Sequence, residues 1–306
     1  MPQDFTAPPT QFFGARGKSD LTGADIAIFG APHGTPYTGI DNTPYARAPD
    51  ALRNALRDDR DWEDHWDFDC DAPFLADDAR IITDLGNLKT TSADGVGNRD
   101  KIRAATQDII SAGCIPILLG GDDSVPIPFF EGLADRGPLT VVQVDAHIDW
   151  RHERCGEPLG FSSTMRRASE MPHIDNIIHV GIRGIGSARR EEVEAARAWG
   201  AQIVTAHTIH REGMQTVLDQ LAPNTNVVLT IDCDGLDAGI MPAVMAPTPG
   251  GLTYDQILEL VHGLVARTNL VACDMIEFVP ERDPTGTAGI TAARIMANVV
   301  GALARA

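Results

Sequence analysis

LTVVQVDAHID, residues 139–149, is an apolar run that ends in three potential metal ligands, and NVVLTIDCDGLD, residues 226–237, repeats the design. A short, mostly apolar run of this length, bounded by turn residues, reads as a strand buried on both faces, as in parallel sheets. Six further runs of this kind follow along the chain: ADIAIFGAP (24–32), ARIITDLG (79–86), CIPILLGGDDS (114–124), NIIHVGIRG (176–184), AQIVTA (201–206) and LVACDMIEFVPE (270–281). Between them, amphipathic stretches predict helices over 48–57, 99–112, 189–199, 214–221, 254–266 and 288–304. Strands alternating with helices imply an α/β fold with an open, mainly parallel sheet covered on both faces. Residues 32–49, rich in Gly, Pro and polar side chains, read as a long loop of the kind that carries function.

The bulk properties narrow the classes. At 306 residues, 43% hydrophobic and 22% charged, the chain is able to bury a large core. No repeat or Pro/Ser-rich linker divides it, so a single domain over 1–306 is expected, with 1–24 as an N-terminal extension. A formal charge of −18 argues against a nucleic-acid partner, which needs clustered Lys and Arg to displace counterions, and suits a small cationic ligand better. Five scattered cysteines without a CxxC pair favour reduced thiols. The first twenty residues lack the basic-then-apolar order of a secretory signal, and no apolar run approaches a membrane span. The expectation is a soluble, cytoplasmic protein with no membrane partner.

The chemistry gathers where strands end. Four acidic or histidine-bearing segments follow apolar runs: Gly120-Gly121-Asp122-Asp123-Ser124, Asp145-Ala146-His147-Ile148-Asp149, Asp232-Cys233-Asp234 with Asp237, and Glu277. In open α/β sheets, sites form beyond the carboxyl ends of strands, so segments far apart in sequence converge. Alternate residues of an extended segment share a side, which puts Asp145, His147 and Asp149 together and Asp232 with Asp234. Carboxylates behind dry strands are costly unless paired, protonated or bound to metal. A bed of carboxylates with one imidazole suits Mn²⁺, with Ni²⁺ or Fe²⁺ as alternatives.

Blander readings apply elsewhere. A lone DxD or DxHxD often caps a helix, and it is the presence of both that carries weight. Gly120 and Gly121 read as turn residues. His207 and His210, in a strand-like context, read as surface or core residues rather than ligands. Gly184-x-Gly186 lacks the third glycine of a dinucleotide fingerprint, and Arg189-Arg190-Glu191-Glu192 reads as a solvated helix face.

Together GAPHGTPYTG (30–39), ARAPDALR (46–53), LGGDDS (119–124), VDAHID (144–149), GIRG (181–184), TIDCDGLD (230–237), PTPGGLT (247–253) and EFVPERDPTGTAGITAARI (277–295) resemble the ureohydrolase (arginase/agmatinase) superfamily, from about Ala27 to the carboxyl terminus. That resemblance implies a three-layer α/β/α sandwich around a mainly parallel sheet of about eight strands, assembly as a homotrimer or hexamer, and a site for two divalent ions, manganese or nickel. By position, one ion would take Asp123, Asp145, Asp149 and Asp232, and the other Asp145, His147, Asp232 and Asp234, with Asp145 and Asp232 bridging. The implied reaction is agmatinase-like hydrolysis of a guanidino or amidino C–N bond by a metal-bridging hydroxide, releasing urea and an amine. Asp149 would handle the proton, and Glu277 would hold the guanidinium.

The chain departs from this pattern in three places. Asp123 stands where the family usually has His, adding a negative charge that favours harder ions. Residues 160–168, GFSSTMRRA, contain no histidine where the family presents its proton shuttle, leaving His152 as the nearest replacement. Asp237-Ala238 replaces the usual Asp-Pro. These departures keep open a second reading, a catalytically degenerate structural or regulatory subunit of a hetero-oligomer with a homologous partner. Loops 35–46 and 159–164 are expected to build the tail end of the substrate pocket, where Asp41 would meet a second cation.

Overall fold

The computed structural model describes residues 5–16, 20–76, 78–185 and 188–306. Eleven strands appear among them: β1 (Phe5–Thr6), β2 (Ile26–Ala31), β3 (Trp66–Asp67), β4 (Ala72–Pro73), β5 (Ile82–Leu88), β6 (Ile115–Gly120), β7 (Leu139–Val144), β8 (Ile174–Ile182), β9 (Gln202–Thr205), β10 (Asn226–Asp232) and β11 (Asn269–Ile276). Nine of them form one sheet in the order β1-β5-β2-β6-β11-β10-β7-β8-β9, while β3 and β4 make a separate hairpin. Eight of the nine are the apolar runs of the sequence, and every pairing among those eight is parallel. The ninth, β1, adds antiparallel to β5 at the edge, Phe5 opposite Leu88. At two residues it leaves no periodic signal to read.

The helices are α1 (Ala48–Ala55), α2 (Gly95–Ser111), α3 (Pro126–Gly132), α4 (Thr164–Ala168), α5 (Arg190–Trp199), α6 (Ala206–Glu212), α7 (Gln215–Leu218), α8 (Tyr254–Arg267) and α9 (Thr287–Arg305). Adjacent strand residues point to opposite faces, so Ile26 and Ile28 join one core with α1, α6, α7, α8 and α9. Ala27 and Phe29 join the other with α2, α3, α4 and α5. The result is the expected three-layer α/β/α sandwich.

Differences from the sequence reading have local causes. His207 and His210 sit exposed on α6, not on a strand, because Thr205 caps a helix by accepting from the Thr208 amide at 3.1 Å. The helix expected from residue 99 starts at Gly95, where Asp94 accepts from the Gly97 amide at 2.8 Å. Gly186 lies outside the described residues, as do residues 1–4 and 17–19 of the N-terminal segment. The rest of that segment is anchored: Phe12, Phe13 and Ala15 are buried in the core with α1 and α9. By length and hydropathy alone α9 would suffice to cross a membrane, yet 78% of its apolar window is buried between its neighbours, as befits a core helix.

A charged pair is fastened deep inside this packing. Arg53 of α1 is 1% exposed and grips Asp84 of β5 through two parallel bonds, Nε to Oδ2 at 2.8 Å and Nη2 to Oδ1 at 2.9 Å. Its Nη1 reaches Asn87 at 2.6 Å, and Asp84 also accepts from the Phe12 amide at 2.8 Å. The pair therefore ties the loop-bearing helix, a strand and the N-terminal segment together. Breaking a buried pair from one side strands a charge. Arg53→Met is expected to lower unfolding free energy by about 3–5 kcal/mol in denaturant titrations, and a loss below about 1 kcal/mol would show that the pair is not a fastening point.

Candidate metal and substrate site

Strand register brings the site together. Leu119 of β6 lies opposite Met275 of β11, Ile276 of β11 opposite Asp232 of β10, and Ile231 of β10 opposite Val144 of β7. Four adjacent strands thus end at one level, and the residues just past those ends, Asp123, Glu277, Asp232 with Asp234, and Asp145 to Asp149, gather around a cleft of about 230 Å³. Asp123, His147, Asp149, Asp232, Asp234 and Glu277 line it. Asp145 is fully buried beneath them.

Two overlapping triads of donor atoms result. Asp123, Asp145 and Asp149 each offer a carboxylate oxygen within 4.8 Å of the others, and Asp145, His147 and Asp234 do the same with an imidazole nitrogen. Asp145 is shared. His147 Nδ1 is 3.2 Å from Asp234 Oδ2 and 3.4 Å from Asp145 Oδ1. The Asp123 Oδ2 atom is buried with no hydrogen-bond partner among the described residues, an oxygen left for something else to satisfy.

The backbone bends to achieve this. Asp149 (φ 39°) and Glu277 (φ 65°) both occupy the left-handed region that non-glycine residues avoid, and strain of this kind concentrates at functional sites. Glu277 is held by the Asp123 amide, which donates to Oε1 at 2.9 Å, and Tyr45 lines the same cleft. Gly121 answers the turn expected of it: a Cβ there would stand 2.7 Å from the Pro32 carbonyl oxygen, so only glycine lets the DDS turn lie against the end of β2. Arg183 of the GIRG segment donates to the carbonyls of Asp234 (2.6 Å), Gly235 (3.1 Å) and Leu236 (3.0 Å), clamping the turn after β10.

Beneath these carboxylates lies a network that the motifs did not announce. Gln143 Nε2 donates to Asp145 Oδ2 at 2.6 Å and to Asp149 Oδ2 at 2.9 Å, while its carbonyl oxygen meets Nδ1 of the fully buried His179. Burial drives the His179 pKa down to about 3, so the ring is neutral and donates to Gln143. A Gln and a His inside otherwise apolar strands, VVQV and IIHV, were the available signal.

Electrostatically the cleft is overloaded. Burial, then the charges of neighbouring carboxylates, pushes Asp123, Asp145 and Asp232 well above the ordinary range. Burial and Asp122 carry Glu277 up to about 8. His147 is opposed by burial, but the bond to Asp234 and the surrounding negative charge hold it up at about 9. Asp234 is likewise opposed by burial, yet its bond and charge pairing with His147 keep it low.

The remaining expected residues fall elsewhere. His152 does not reach the cleft: it is exposed and lies with Glu153, Arg166 and Arg189 in a separate depression. After the left-handed turn at Asp149, Trp150 packs into the core and His152 and Glu153 beyond it face outward. Asp237 organises its turn, accepting from the amides of Gly239, Gly250 and Gly251 at 2.9–3.1 Å. Asp41 stands at the cleft mouth, exposed, with one oxygen engaged by the Thr43 amide and hydroxyl. Loops 35–46 and 159–164 contribute Ile40, Asn42, Tyr45 and Phe161 to the walls, and Arg154, Met245 and Ala246, which the sequence reading missed, complete them.

Comparison with known proteins agrees with this picture. The model of the arginase family matches residues 24–301. The mitochondrial agmatinase of Gallus gallus is 27% identical over 95% of this chain and 88% of its own length. The mitochondrial guanidino acid hydrolase of Homo sapiens is 28% identical over 73% of this chain and 64% of its own. Among solved structures, proclavaminate amidino hydrolase from Streptomyces clavuligerus superposes with a TM-score of 0.85 at 24% identity, covering 98% of both chains, which is a likeness of fold. A family match that spans nearly the whole sandwich and includes all four strand ends around the cleft establishes that this chain belongs to the arginase family of hydrolases.

Proposed function

We propose that this chain hydrolyses the C–N bond of a small guanidino or amidino compound at a pair of divalent cations. The observation that carries the reading is the pair of donor triads sharing Asp145, with the Asp123 Oδ2 atom buried and unpartnered. So many carboxylates in one dry pocket fit cations and little else. Asp123, Asp145, Asp149 and Asp232 would hold one ion, and Asp145, His147, Asp232 and Asp234 the other. Bound there, the ions supply Lewis acidity and water activated near neutral pH. Five carboxylates against one imidazole favour manganese over nickel. The two relatives described above act, by their names, on agmatine and on guanidino acids, which supports the guanidino class.

The protein's own groups do the rest. Glu277, fixed by the Asp123 amide, holds the cationic head of the substrate and orients its planar carbon. Asp149, held by Gln143, accepts a proton during attack and returns it to the leaving nitrogen. His147 is the one histidine among the described residues of the cleft lining, so that proton path runs through a carboxylate. In this reading residues 1–306 act as one catalytic domain, assembled as a homotrimer or hexamer.

Elemental analysis after expression with manganese or nickel is expected to find about two equivalents per chain, falling to about one in Asp123→Ala. Essentially none in either medium would favour a non-catalytic subunit that needs a homologous partner. Glu277→Gln is expected to keep the metal and lose about 100-fold in kcat/KM for guanidino substrates; a loss under threefold would remove Glu277 from substrate binding. Chelated protein supplies a pH test. A group whose folded pKa is raised stabilises below its unfolded pKa and loses that contribution as pH rises through the folded value, here about 8 for Glu277 and about 9 for His147. The melting temperature of metal-free protein should therefore fall between pH 6.5 and 8.5, and added Mn²⁺ should flatten the decline. A metal-free protein whose melting temperature rises over that interval would contradict the crowding of charge described here.

A further inference from the structure

Arg154 is the only arginine or lysine among the described residues that line the cleft, whose walls otherwise carry six carboxylates: Asp41, Asp123, Asp149, Asp232, Asp234 and Glu277. None of these pairs with it, and among the described residues no carboxylate lies within ion-pair distance of its guanidinium. The side chain is nonetheless held. Its guanidinium carbon sits 5.6 Å from the Tyr37 ring centroid and 5.4 Å from that of Phe161. Those rings pack edge to face at 4.7 Å. Cation–π contacts engage the π face of a guanidinium and leave its N–H edge free for a planar, bidentate acceptor.

The support for this arrangement is built in. Tyr37 accepts from the Ser162 amide at 3.3 Å and its hydroxyl lies 3.0 Å from Ser162 Oγ. A Cβ on Gly160 would come within 2.2 Å of the same ring, so glycine is required for Tyr37 to lie where it does. Arg154 itself opens a two-residue turn closed by reciprocal backbone bonds with Glu157 at 3.0–3.1 Å, through Cys155 (φ 53°) and Gly156 (φ 79°). A tight turn and two rings therefore fix one unpaired cation at the wall of an acidic cleft.

The geometry points to a substrate with a carboxylate on its tail: a guanidino acid whose cationic head meets Glu277 and whose anionic tail meets Arg154. This rests on the hydrolase reading above and makes Arg154 a specificity-determining residue within it. Asp41, the candidate for a cationic tail, is solvated and already bonded to Thr43, so it offers a screened charge against a half-buried one.

Three guanidines that differ chiefly in the tail decide the matter: 4-guanidinobutyrate (carboxylate), butylguanidine (neutral) and agmatine (ammonium), each offered to the manganese-loaded protein. The acid is expected to show the highest kcat/KM. The ratio of acid to neutral compound should fall about 30-fold in Arg154→Gln, through KM, with part of it restored in Arg154→Lys. Arg154→Glu should turn the preference toward agmatine. A wild-type preference for agmatine, or a ratio unmoved by Arg154→Gln, overturns the assignment. Binding of the same compounds by calorimetry separates this inference from the hydrolase reading. If no guanidine is turned over, tighter binding of the acid that Arg154→Gln abolishes still upholds the tail site, and equal binding of all three refutes it.

Discussion

Mutual repulsion among buried carboxylates is the constraint to which the rest of the molecule is fitted. Asp123, Asp145, Asp149, Asp232, Asp234 and Glu277 are all at most 9% exposed, and they stand at the ends of four neighbouring strands. Left alone, such a group would take up protons or push its elements apart, because charge in a dry pocket has no water to spread into. A parallel sheet makes the crowding unavoidable, since every strand delivers its carboxyl end to the same edge. It also makes the crowding bearable, because apolar layers on both faces fix the strands before the acids meet.

What holds the acids in place is a set of neutral donors rather than countercharges. Gln143 spans Asp145 and Asp149, the amides of Ala146, His147 and Asp234 bond to the carboxylates of Asp234, Asp145 and Asp232, and Arg183 spends its guanidinium on carbonyls of the next turn. Neutral donors orient a carboxylate without cancelling its charge, so the cleft keeps its negative character. His147 is the exception, and its link to Asp234 gives one half of the site a different character from the all-carboxylate half around Asp123.

Most of the scaffold was legible because it rests on local patterns. Eight apolar runs became eight parallel strands, and the acidic segments that meet at the cleft were visible because acids after such runs are conspicuous. What escaped notice depends on contacts between distant segments. Tyr45 and Glu277 meet in one cleft although more than two hundred residues separate them, and the Tyr37–Phe161–Arg154 stack joins a loop near the start of the chain to one in its middle. Periodicity carries no information about such meetings. His152 was misplaced for a related reason: nearness in sequence to Asp149 stood in for nearness in space, and a left-handed turn intervened.

The mouth loop has one more property. Asn42 donates to the buried carboxylate of Asp122 and the Thr35 amide donates to Ser124 Oγ at 2.6 Å, so the loop is stitched to the very turn that presents Asp123. A cassette grafted here from another enzyme would drag the Asp123 turn with it. Divergence toward new substrates is therefore channelled into side chains that carry no stitch, such as Ile40 and Met245.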